Sequence, residues 1–134
     1  MRGGVNIATL TDKALEGTAR MIIGVSPPNP FIYMATGTGA RAESTADTAL
    51  ENENTQYGAQ RAQATVSYVS LGISQWSILY AFTGPVTIRE LGIFNAPVGG
   101  DMFLRHVLSE NKTYADGESV EITITNTMVR VDAA

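Results

Sequence analysis

Val86-Thr87-Ile88-Arg89-Glu90-Leu91-Gly92-Ile93-Phe94 leads through Val98-Gly99-Gly100-Asp101 into Met102-Phe103-Leu104-Arg105-His106-Val107-Leu108. Two mostly apolar runs, rich in β-branched and aromatic residues, flank a glycine pair. Such runs suit a pleated, half-buried surface, and glycines supply the positive φ that a tight turn demands. The stretch therefore predicts a β-hairpin over residues 86–108. Its neighbours repeat the pattern with a period of two. Ala62, Ala64, Val66 and Tyr68 alternate with Arg61, Gln63, Thr65 and Ser67, which places the two sets on opposite faces of a strand. Trp76, Ile78, Tyr80 and Phe82 form a second alternating set, and Val120, Ile122 and Ile124 a third. Met128 to Val131 is expected to continue that last strand. Gly84-Pro85 and Ala115-Asp116-Gly117-Glu118 read as turns. Phe31-Ile32-Tyr33-Met34-Ala35 reads as a short buried strand. Five or six short antiparallel strands separated by glycine-rich turns predict an all-β fold, either an antiparallel β-sandwich or a small barrel.

Upstream, residues 6–23 suit a helix. Thr11 is placed to cap it, and Ala14, Leu15, Ala19 and Ile22 recur at helical spacing as one apolar stripe. Pro27-Pro28-Asn29-Pro30 then ends the helix, because proline donates no amide and restricts the residue before it. The expected organisation is an N-terminal arm and short helix over residues 1–30 and a β-sandwich over residues 31–134, one compact domain in all. Residues 40–60 form a polar stretch, with one helical turn expected within 47–52 and an exposed loop over 51–58.

Composition narrows the chemistry. The 134 residues include no cysteine, so disulfides, thiolate metal sites and cysteine nucleophiles are excluded. The formal charge is −4, and the nine basic residues are scattered singly, which argues against tracking a phosphate backbone. No apolar run reaches the length of a signal peptide or a membrane span. The expectation is a soluble, unprocessed chain that engages neither nucleic acid nor membrane.

Each motif that invites a functional reading has a plainer one. Gly37-Thr38-Gly39 follows a strand but lacks the Gly-Lys-Ser/Thr of a phosphate loop, so a turn is expected. His106, the one histidine, has no acid at any catalytic spacing and reads as a surface or partner-facing residue. Asp47, Glu51 and Glu53 are close enough to suggest calcium, yet their spacing matches no calcium loop. Trp76, Tyr68, Tyr80 and Phe82 could present a carbohydrate-stacking face, but their alternation suits a core; Phe103 and Tyr33 share that ambiguity. Arg89 and Glu90 interrupt an apolar strand. Arg89 is expected on a solvated face, whereas Glu90 is expected to pair with Arg61 or Arg105, since an unpaired charge there is costly. No catalytic residue, metal ligand or cofactor follows from the sequence.

Phe31-Ile32-Tyr33-Met34-Ala35-Thr36-Gly37-Thr38-Gly39, then Asp47-Thr48-Ala49-Leu50 and Glu53, resembles a pattern of small virion structural proteins of tailed phages and prophages. Thr87-Ile88-Arg89-Glu90-Leu91-Gly92-Ile93-Phe94-Asn95-Ala96 and Gly99-Gly100-Asp101-Met102-Phe103-Leu104-Arg105 resemble its second half. A related pattern opens the collar-attaching domains of some tail fibres. The resemblance spans residues 5–131 and departs from the pattern at Pro27-Pro28-Asn29-Pro30 and at Arg89. It implies a rigid β-fold in the virion, assembled in the host cytoplasm, with Asp47, Glu53, Arg61, Glu90 and Arg105 as a structural polar network fastening loop to sheet. It further implies a homo-oligomer, taken as a trimer, that decorates and cements a capsid by binding the major capsid protein. A tail adaptor, baseplate or short-fibre component binding tail or neck proteins is the alternative; a carbohydrate-binding module is a third reading. The segments expected to grip a partner are the arm over residues 1–11, represented by Met1, Arg2, Val5, Ile7 and Leu10, and the polar loop, represented by Asn54, Gln56 and Tyr57.

Overall fold

A computed structural model describes residues 8–131. The strands in chain order are β1 (Thr9–Leu10), β2 (Tyr33–Gly37), β3 (Ala62–Gln63), β4 (Thr65–Ser70), β5 (Ile73–Ala81), β6 (Val86–Phe94), β7 (Met102–Tyr114) and β8 (Ser119–Thr127), with one helix, α1 (Asp12–Ile23), after β1. They form a five-stranded sheet in the order β1-β7-β6-β2-β3 and a three-stranded sheet in the order β4-β5-β8. Every pairing is antiparallel. Trp76, Tyr80 and Phe82, from β5 and its C-terminal edge, share one buried cluster with Met34, Ile88, Leu91, Ile93 and Leu104 of the larger sheet. The fold is therefore a two-layer, all-β, sandwich-like arrangement with a short N-terminal helix.

The hairpin from Val86 to Leu108 forms as expected, with Gly99 and Gly100 both at positive φ. β7 runs six residues further than its apolar stretch, to Tyr114, where Val86 is its partner. Ala115 to Glu118 then carries the chain from the larger sheet to the smaller one. Trp76 and Tyr80 bury their rings and satisfy their polar tips: the indole Nε1 donates to the Phe31 carbonyl at 2.6 Å and the Tyr80 hydroxyl to the Met34 carbonyl at 3.0 Å. Burial raises the Tyr80 phenol well above its ordinary pKa, and the nearby Glu53 charge adds to the effect.

Two irregularities in the β6–β7 ladder decide which side chains share a face. Ile88 pairs with Lys112 and Glu90 with Val107, so Leu108 to Asn111 face only Arg89; a second slip separates Ile93 from Phe94. A bulge changes the parity of the alternation that follows it. Ile88, Leu91 and Ile93 therefore all reach the cluster between the sheets. Phe94 and Met102 instead join Ala35 and Leu50 in a second cluster. That cluster lies beneath the segment 38–61, which crosses the larger sheet as a third, irregular layer.

Several local expectations fail for identifiable reasons. α1 begins at Asp12, and the residues before its Thr11 cap form β1. Its buried positions are Ala14 and Gly17, while Leu15, Ala19 and Ile22 are exposed. The helix approaches so closely that a Cβ on Gly17 would lie 3.0 Å from Pro28 Cγ and 3.7 Å from the Phe31 ring. Only small side chains fit there, so the large apolar ones turn outward. Gly24, in the left-handed region at φ 68, ends the helix ahead of the prolines, with the Val25 amide donating to the Arg20 carbonyl. Residues 47–52 form no helical turn; the Glu51 and Asn52 amides are drawn to the Glu90 carboxylate and the Asp47 amide to the Ser44 carbonyl. The expected single strand 61–68 divides into β3 and β4, which belong to different sheets, and Val66 and Tyr68 are exposed. β8 stops at Thr127, and Met128, Val129 and Val131 are exposed.

Candidate functional site

The most concentrated chemistry lies where segment 38–61 crosses β6 and β7. Bulging turns Glu90 and Arg105 onto the outer face of the larger sheet, where both are completely buried. Glu90 Oε2 accepts from the amides of Gly39 and Asn52, each at 2.8 Å; Oε1 accepts from the Glu51 amide and from Arg105 Nε, each at 2.9 Å. Four donors thus converge on one carboxylate. Asp47 completes the group: Oδ2 accepts from the Ser44 amide at 2.9 Å and Arg105 Nη1 at 3.2 Å, and Oδ1 accepts from Arg41 Nη1 at 2.9 Å. Arg105 Nη1 also reaches the Ala42 carbonyl at 3.3 Å, while its Nη2 is buried with no partner among the described residues.

The electrostatics follow from these contacts. Desolvation raises the pKa of both carboxylates, and the bonds overcome it. For Glu90 these come from the Asn52 and Glu51 amides, then Arg105 and Gly39, and for Asp47 from Arg41, Ser44 and Arg105; both pKa values are held below the ordinary range. The Gly37-Thr38-Gly39 turn has its explanation here. A Cβ on Gly37 or on Gly39 would lie within 2.6 Å of Glu90 Oε2, so only glycine lets the backbone close over the carboxylate. The turn cradles an anion, as a phosphate loop would, but the anion is the protein's own side chain.

Arg61 and Glu53 form a separate fastening. Arg61 Nε and Nη2 bind the two Glu53 oxygens at 3.0 and 2.8 Å, Nη1 donates to the Ala96 and Gly99 carbonyls at 3.0 and 2.8 Å, and the guanidinium lies 3.7 Å over the Phe94 ring. This pair ties the end of the loop to the tip of the β6–β7 hairpin. The five charged residues expected to form a polar network thus divide into a buried Glu90–Arg105–Asp47 group and a half-buried Arg61–Glu53 clamp, and Glu90 takes Arg105 of its two expected partners. Arg41 and Glu43 also contribute, and nothing in their local sequence distinguishes them. Glu43 Oε2 accepts from the Val107 amide at 2.7 Å and lies 3.2 Å from His106 Nδ1, while Oε1 accepts from the Thr9 hydroxyl at 2.7 Å. His106 is accordingly half-buried at a loop contact instead of presented on an open face. Arg89 fills the bulge, donating to the Leu108 carbonyl at 2.7 Å and to Asn111.

The candidate gripping residues are scattered. Met1, Arg2, Val5 and Ile7 lie outside the described residues. Leu10 is exposed on β1, and Gln56 is exposed in the loop. Tyr57, partly exposed with φ 61, packs its ring over Gly84. Asn54 is committed internally, its amide donating to Thr36 Oγ1 and the Thr87 carbonyl at 3.0 Å each. Of the aromatic residues weighed as a sugar platform, Trp76, Tyr80 and Phe82 are buried, and Tyr68 alone is well exposed. Among the described residues no group of three His, Asp or Glu side chains is arranged to hold a metal ion, and no helix is long and apolar enough to cross a membrane. No protein-family model and no curated protein matches the chain.

Proposed function

We propose that this chain is a non-catalytic structural component of a tailed-phage-type virion, a decoration protein that binds the major capsid protein on the outside of the shell. The observation that carries this reading is the convergence of the motif residues. Gly37, Gly39, Asp47, Glu90 and Arg105, all positions within the motifs that carry the resemblance, meet in one buried network that closes the loop over the sheet. Glu90, Arg105, Asp47, Arg61 and Glu53 are committed to one another and to backbone groups. What remains for function is surface, and it includes Leu15, Ile22 and Ile23 of α1 and Leu71 and Val98 at two hairpin tips, all more than half exposed. Adjacent exposed apolar side chains such as Ile22 and Ile23 suit attachment to other proteins. Repetition around a shell multiplies modest contacts into a large effect on the particle.

The test is cryo-electron microscopy of particles assembled with this chain. Density in many copies over the icosahedral shell is expected; density confined to the tail or neck would replace the decoration role with an adaptor or fibre role. A deletion of residues 1–7 probes the arm. It leaves β1 and the Thr11 cap in place, whereas removing residues 1–11 would strip both from the fold. Loss of particle binding by a folded 1–7 deletion is expected, and undiminished binding would eliminate the arm as the gripping element.

A further inference from the structure

Among the described residues, three of the four sheet edges are blunted, and one is not. β1 and β3 are two residues long each, and β4 is broken by a bulge between Tyr68 and Ser70. Where β7 extends past β1 it carries Glu110, Lys112 and the wide bulge facing Arg89. Short strands, bulges and edge charges are the devices that keep free backbone donors and acceptors from recruiting another strand. β8 is neither short nor bulged and carries one charge. Ser119–Thr127 is nine residues long, pairs residue for residue with β5 without a register slip, and contains no proline, no glycine and a single charge, Glu121. Among the described residues nothing pairs with its outer edge. Its inward side chains Val120, Ile122 and Ile124 are only half-buried against the core, whereas Trp76 and Tyr80 of the adjoining strand are buried.

We propose that the outer edge of β8 pairs antiparallel with β8 of a second copy of this chain. The strand is self-complementary about Thr123. In that register Ile122 meets Ile124 of the second copy on the inward face, Glu121 meets Thr125 and Ser119 meets Thr127 on the outward face, and Thr123 meets itself. The one charge avoids its own copy, the isoleucines meet at the centre of the inward face, and Val120 meets Asn126 at its ends. Two three-stranded sheets merge into one six-stranded sheet, and the exposed parts of Ile122 and Ile124 are covered across the seam. Because the same edge is used twice, the pairing is two-fold and closes at a dimer. A three-fold assembly would require a different surface. This proposal rests on the edge geometry and does not depend on where in a virion the chain resides.

The test uses the full chain in sedimentation equilibrium over a concentration series. Wild type is expected to approach twice the chain mass. Thr123→Lys and Thr123→Glu each set like charges opposite one another across the seam, and each is expected to weaken the dimer by about two- to fivefold, given that directly opposed like charges disfavour strand pairing. Mixing the two variants in equal amounts is expected to restore it. Thr123 is exposed on the outward face, so far-ultraviolet circular dichroism is expected to be unchanged. Thr125→Lys is a second probe in the opposite direction: it faces Glu121 of the second copy twice per dimer and is expected to tighten association about threefold or more. A monomer at all concentrations, a trimer, or a dimer indifferent to all three substitutions would overturn the proposal.

Discussion

Glu90 is withdrawn completely from water in a mostly apolar strand, and it remains ionised because four donors occupy its oxygens. A buried ion pair adds little over an apolar equivalent, yet removing one member is severe, since the other charge is left stranded. Glu90→Ala orphans Arg105 and three loop amides together, so a loss of about 3–5 kcal/mol is expected in urea unfolding. Arg105→Met removes the cation but leaves the amides on Glu90, and a smaller loss is expected than for Glu90→Ala. The pH dependence has a defined sign. Both Glu90 and Asp47 have folded pKa values below their unfolded ones. Their contribution is therefore present in full above the unfolded carboxylate value, near about 4, and is lost as pH falls through the lower folded values. Stability measured from neutral pH into acid should fall more steeply for wild type than for Glu90→Gln, which has one titrating group fewer. Equal slopes would mean that Glu90 does not titrate with folding.

At the scale of the element, the helix and the loop are both held through caps and closures. Thr11 does two things at once: its hydroxyl oxygen accepts from the Ala14 amide at 3.1 Å and its proton goes to the Met102 carbonyl at 2.5 Å. It thus starts α1 and docks it onto β7. Thr11→Ala is expected to cost about 1–2 kcal/mol, and amide hydrogen exchange should rise selectively across Asp12–Ile23. A uniform rise over the whole molecule would show that the cap couples to global unfolding. Segment 38–61 is anchored by the Glu90 network, by Glu43 and Asn54, and at its end by the Arg61–Glu53 clamp. Arg61→Lys keeps the charge but loses the bidentate geometry and the flat stacking on Phe94. A loss of about 1–3 kcal/mol is expected from the hydrogen bonds to charged groups given up, checked by thermal unfolding against wild type.

At the scale of the whole molecule, one cluster fills the space between the sheets and a smaller one lies under the loop. Trp76, the single tryptophan, belongs to the first, so its fluorescence follows separation of the two layers. At neutral pH its urea transition is expected to coincide with that of far-ultraviolet circular dichroism, as for a two-state domain of this size; separated midpoints would show that one layer opens before the other. Most of this architecture was legible in the order of residues. Alternation located β5 and β8, a β-branched and aromatic apolar run located β6, Gly99-Gly100 and Asp116-Gly117 located two turns, and Thr11 marked the helix start, because each of these signals is read within a few residues of chain. Even the pairing of Glu90 with an arginine followed from the cost of burying a lone charge. What local pattern could not carry was parity and distance. The slips opposite Arg89 and beside Phe94 reassign whole faces, and they arise from how two strands with different numbers of residues are matched. Gly17, chosen by the nearness of Pro28 and Phe31, turned the larger apolar residues of α1 outward against their periodicity. The amides of Gly39, Glu51 and Asn52 are between about forty and fifty residues distant from Glu90 along the chain. Only closure of the loop over the sheet brings them to one carboxylate, because hydrogen bonding is decided by a few ångströms in space and not by spacing in sequence.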